Sequence, residues 1–137
     1  MFAPKKVKHR KWHLTAGTSG GRKASRSNKV SFGEYGLKAT TESWITARQI
    51  EAARRVAVRY TRKTGKMWIR IFPDKPITAH GNEQKMGKGK GTVEYYVINI
   101  KPGTVVLELA GIPEDQAREA LNLAGYKLPV KTRVVKR

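Results

Sequence analysis

The chain has 137 residues, enough for one domain with a modest core and too few for two. It carries 29 Lys and Arg against 10 Asp and Glu, a formal charge of +19, and it has no cysteine. Disulfide staples and thiolate metal sites are therefore excluded, and no apolar run approaches the roughly 20 residues of a membrane helix.

Residues 1–29 read as a basic N-terminal arm. The first acid in the chain is Glu34, while Lys5, Lys6, Lys8, Arg10, Lys11, Arg22 and Lys23 stand among glycines and serines without apolar periodicity. Such a segment has no core of its own and is expected to order against a polyanion. A secretory signal is excluded because no apolar stretch follows the basic start; an organellar transit peptide and an idle tail are the other readings of such acid-poor text. Residues 30–137 read as a single α+β domain, beginning with a glycine-weakened strand over 30–39.

"WITARQIEAARRVAVRYTRKTGK" predicts a helix from about Ala47 to Thr64. Thr46 and Gln49 form a capping box, Ile45 and Ile50 occupy the staple positions, and Gly65 closes the end. At about 100° per residue, Ile50, Ala53, Val56, Ala57 and Tyr60 share one face. Arg48, Arg55, Arg59, Arg62 and Lys66 form a stripe opposite, with only Glu51 near enough to pair. In so basic a chain, aligned cations suit phosphate contact better than an idle surface.

"KMWIRIFP" predicts a strand with Met67, Ile69 and Ile71 on one side and Trp68, Arg70 and Phe72 on the other, stopped by Pro73 and Pro76. Residues 74–92 then read as a long irregular loop holding Lys85, Met86, Gly87, Lys88, Gly89, Lys90 and Gly91. Structureless loops beyond about 12–15 residues are uncommon inside a domain and are usually functional or disordered. "TVEYYVINIK" and "TVVLELAG" predict an antiparallel pair joined by a type II turn through Pro102 and Gly103. "IPEDQAREALNLAG" predicts a second helix with Pro113 at its first position and Glu114 and Asp115 at the positive dipole end. Ala117, Ala120, Leu121 and Ala124 supply its buried face. A basic closing strand carries Lys131 and Arg133. The sum is an α+β fold of two helices on a mixed, mainly antiparallel sheet, with a basic arm and a long central loop.

No catalytic constellation is present. The lysine–glycine segment fails the P-loop spacing, since Gly81 would need glycine at Met86, and it fails the dinucleotide spacing at Thr92. His9, His13 and His80 are too scattered for a metal site, and no local motif marks a serine nucleophile. No catalytic residue, metal or cofactor is expected. Tyr60, Trp68 and Tyr95 read as core or rim residues rather than stacking partners, and no duplex-reading motif occurs. An acidic membrane is disfavoured because no helix pairs a broad apolar face with the lysines. Positive charge on arm, helix, loop and closing strand suits embedding in folded RNA. A free-standing nucleic-acid binder or RNA chaperone is the alternative.

"FGEYGLKA", "WITARQIEAARR", "WIRIFPDKPIT", "MGKGKGTVEYYV" and "KLPVKTR", in this order and with the start "MFAPKKVKHRK", closely resemble the L-sixteen family of bacterial large-subunit ribosomal proteins. The resemblance covers nearly the whole chain. It implies an α/β-hammerhead fold and a structural role in the large subunit. The implied partners are large-subunit rRNA near the peptidyl transferase region, tRNA at the aminoacyl site, and neighbouring ribosomal proteins. It further implies entry late in subunit assembly, a cytoplasmic ribosome, no membrane partner and no homo-oligomer. The loop around Lys85–Gly91 is implied to project toward the tRNA. Two departures stand out. Lys85 replaces the family's usual arginine, so an arginine-directed hydroxylation is not expected there, and a planar guanidinium contact becomes a point charge. "AHGNEQ" and the arm text after Lys11 also differ from the family's usual residues.

Overall fold

The computed structural model describes residues 2–14, 21–61, 64–83 and 85–137. In chain order these form β1 (Tyr35–Ala39), β2 (Ser43–Thr46), α1 (Ala47–Thr61), β3 (Lys66–Ile69), β4 (Lys75–Ala79), β5 (Thr92–Ile100), β6 (Val105–Ala110), α2 (Glu114–Gly125) and β7 (Thr132–Lys136). The α+β class holds. The described strands divide into two sheets, β3-β6-β1-β7 and β2-β5-β4, and every pairing is antiparallel.

The local signals of α1 act as their chemistry requires. The Thr46 N–H donates to Gln49 Oε1 at 2.9 Å, and the Gln49 N–H donates to Thr46 Oγ1 at 3.3 Å. Ile45 and Ile50 are both buried beside this cap. The helix is described from Ala47 to Thr61, and Thr64 is not helical: its N–H turns back to the Thr61 carbonyl at 2.9 Å. Arg62 and Lys63 lie outside the described residues. In α2, Pro113 is the N-cap rather than the first helical residue, while Ala117, Ala120, Leu121 and Ala124 are buried as expected. Both helices cover the inner face of the four-stranded sheet, where Leu37, Leu107 and Leu109 meet Ile50, Ala53 and Leu121 in one core.

Three features depart from the sequence reading. First, the irregular segment expected over 74–92 contains β4, despite Pro76. Among the described strands β4 lies at an edge, bonded only to β5, where a residue without an N–H is tolerated. The loop therefore spans residues 80–91 and tops a β4–β5 hairpin closed at Ala79↔Thr92.

Second, β5 and β6 are not partners. The turn between them forms, with Gly103 at φ +96° and the Thr104 N–H reaching the Lys101 carbonyl at 3.2 Å. A type II turn splays its flanking strands, however. Here the Ala39 backbone takes the pairing instead, accepting from Gly103 at 2.7 Å and donating to Thr104 at 2.8 Å. The chain thus crosses from the smaller sheet to the larger one.

Third, residues 24–34 lie across the outer face of the larger sheet. Ala24 donates to the Pro102 carbonyl at 2.8 Å, Val105 to Ser27 at 2.8 Å, and Glu34 to Leu109 at 2.9 Å. Gly36 is glycine because of this covering: a Cβ there would stand 2.7 Å from Val30 Cγ2.

Candidate nucleic-acid interface

Helical spacing predicts the α1 stripe, and the structure divides it. Arg48, Arg55 and Arg59 are exposed on the helix, whereas Arg62 lies outside the described residues. Lys66 belongs to β3 and faces the same side as Trp68 and Arg70, because alternate strand residues share a face. Arg55 Nε donates to Glu51 Oε1 at 2.8 Å, and Arg54 grips the same carboxylate through Nε at 2.8 Å and Nη2 at 2.7 Å. Hydrogen bonds from Arg54 first, then from Arg55, hold the Glu51 carboxyl down at about 2. Among the described residues, Arg48 and Arg59 have no carboxylate partner.

A groove joins Arg48 and Arg55 to Lys127, just beyond α2, over a floor that includes Ala47, Ala52 and Val56. Glu51 lines the same groove, which thus sets three cations against one carboxylate. Lys127 went unnoticed in the sequence because it follows the helix end and joins α1 only through tertiary packing. Arg59 sits instead in a depression between α1 and α2 with Tyr60 and Gln116. The Tyr60 hydroxyl donates to Glu119 across that gap.

The loop presents its charge without cover. Lys85, Met86, Gly87, Lys88, Gly89 and Lys90 are exposed, and Gly91 is buried. Gly87 at φ +104° and Gly89 at φ +94° supply left-handed turns, and among the described residues nothing stands within 4 Å of where a Cβ would be. Lys88 between them is at φ +59°, a conformation uncommon for residues with a side chain.

The arm meets this loop. Lys11 Nζ donates to the Lys90 carbonyl at 2.9 Å, and Lys90 Nζ donates to the Trp12 carbonyl. Lys5, Lys6, Lys8 and Arg10 are exposed beside them in sequence, while Phe2 packs against the core. Arg22 and Lys23 are exposed on the strap that leads onto the larger sheet. In the closing segment, the Lys131 carbonyl accepts from the Thr40 N–H at 2.8 Å and from Thr40 Oγ1 at 3.0 Å, its N–H donates to Thr41 Oγ1 at 2.9 Å, and its side chain stays in solvent with that of Arg133.

Among the described residues, no group of three His, Cys, Asp or Glu side chains could hold a metal, and no helix is long and apolar enough to cross a membrane. Cations spread over arm, helix, loop and closing strand are the surface of an RNA-binding protein. The chain belongs to the family described as Ribosomal protein L16p/L10e, which matches residues 4–135. It is 54% identical over 135 residues to large ribosomal subunit protein uL16c of Thalassiosira pseudonana, covering 98% of this chain and 96% of that one. It is 53% identical over 137 residues to uL16c of Trieres chinensis, with 100% and 98% covered. It is 51% identical over 137 residues to uL16c of Porphyra purpurea, with 100% and 96% covered. Family membership makes it a structural component of the large ribosomal subunit and sets aside the free-standing binder.

Proposed function

We propose that the chain binds large-subunit rRNA near the peptidyl transferase region and joins late in assembly, with loop 80–91 reaching tRNA at the aminoacyl site. The observation that carries this reading is the crossing of Lys11 and Lys90, which sets arm and loop together as one basic prominence. Lys5, Lys6, Lys8, Arg10, Arg22 and Lys23 then serve rRNA phosphates from the arm, and Arg48, Arg55, Arg59 and Lys127 serve them from the helices. Lys131 and Arg133 extend that surface at the end of the chain. Lysines and glycines fit this role because phosphate contact requires charge and close backbone approach but no base code. The relatives' names favour an organellar ribosome over the cytoplasmic one expected from the sequence.

The tagged chain is expected to co-sediment with large subunits in high-magnesium gradients; recovery only at the top of the gradient overturns the reading. A photocrosslinker at position 88 is expected to yield a tRNA adduct when the aminoacyl site is filled. Adducts with rRNA alone remove the tRNA contact.

A further inference from the structure

A depression wraps the open edge of β3, and its lining includes Phe32, Arg54, Trp68 and Arg70. Phe32 is 58% exposed. Its ring stacks on Trp68 with centroids 6.2 Å apart and planes inclined by 20°. The Arg70 guanidinium lies over the same ring at 4.9 Å. Both arginines of the depression are already held: Arg54 by Glu51 through two donors, and Arg70 by Glu108. A guanidinium already paired with a carboxylate offers a phosphate less than a free one does, but it keeps a flat face for stacking. Glu108 also fixes the aromatic partner, accepting from the Phe32 N–H at 2.6 Å. A surface that touched only phosphates would have no use for a pre-set, water-exposed aromatic stack.

We propose that Phe32, Trp68 and Arg70 form a platform on which an unpaired RNA nucleobase stacks, with Lys66 on the same side of β3 for the adjoining phosphate. Such a platform tolerates any base, because every base has a π face. The proposal rests on the RNA-binding reading above and adds a base contact to its phosphate contacts.

The test compares binding of the full chain to a short oligoadenylate and to an abasic ribose-phosphate oligomer of equal length and charge. The oligoadenylate is expected to bind about five- to a hundredfold more tightly. Phe32→Leu, which keeps apolar bulk against Trp68, is expected to abolish that difference, and Phe32→Tyr to retain it. Circular dichroism confirms that the variants fold. Equal, salt-dependent binding of both oligomers overturns the platform and leaves phosphate contact standing, as does a Phe32→Leu chain that keeps the full difference. Failure to bind either oligomer overturns both readings.

Discussion

A carboxylate buried on a sheet is costly unless its oxygens are satisfied, and Glu108 meets that condition through backbone amides and a guanidinium. It accepts from the N–H groups of Ser31 at 3.1 Å, Phe32 at 2.6 Å and Gly33 at 2.8 Å, and from Arg70. Burial pushes its carboxyl up, but these donors together outweigh burial and leave it below the usual carboxylate range. Glu108→Gln offers one accepting oxygen and turns an NH₂ toward the same donors, leaving Arg70 without its counter-charge. Its expected cost is about 3 kcal/mol, read as a lower urea midpoint with an unchanged m-value.

Glu51 and Glu108 both have depressed folded-state values, so the unfolded chain binds their protons first as pH falls. Their contribution is complete above the unfolded carboxylate range near about pH 4.3. It is lost as pH drops below that, through about 2 for Glu51. Urea midpoints measured between pH 6 and pH 2 should fall in this window, and Glu108→Gln should flatten the fall.

At the scale of elements, the Thr46–Gln49 box ties the start of α1 to β2, since Thr46 is both the last residue of the strand and the helix cap. Thr46→Ala should cost about 1 kcal/mol and lower the thermal midpoint; no shift would mean that packing of Ile45 alone positions the helix. This helix was legible in the sequence because its cap and its period are local. So was the buried face of α2. β4 was not legible, because Pro76 reads as a breaker until the strand is known to lie at a sheet edge. The turn at Pro102–Gly103 was legible as a turn, yet its strands' partners depend on Ala39, far away in sequence. The same distinction divides the interface. Arg48 and Arg59 follow from helical spacing. The stack of Phe32 on Trp68 does not, because a buried Glu108 on a third segment brings the two together. Lys66 was assigned to the stripe only because the helix period was carried past Gly65.

For the whole molecule, a charge of +19 makes RNA affinity steeply dependent on salt. Each phosphate contact adds about 0.7–0.9 to the log–log slope, so replacing Arg48 and Arg59 by Gln should flatten it by about 1.4–1.8. Arg55→Gln should change it less, because that side chain already neutralises Glu51.

The same excess charge bears on the arm and loop, which join through two lysines rather than through opposite charges. Exposed hydrogen bonds of this kind contribute only about 0.5–1.5 kcal/mol each, so arm and loop should separate readily in the free protein. Lys11→Ala removes one donor and should speed trypsin cleavage after Lys85 and Lys88 by about two- to tenfold, since cleavage follows the open population. Lys11→Arg keeps a donor and should restore most of the protection. Bound rRNA supplies the missing negative charge and should suppress cleavage in all three chains. Equal cleavage of the free chains would show that the arm lies beside the loop without bracing it.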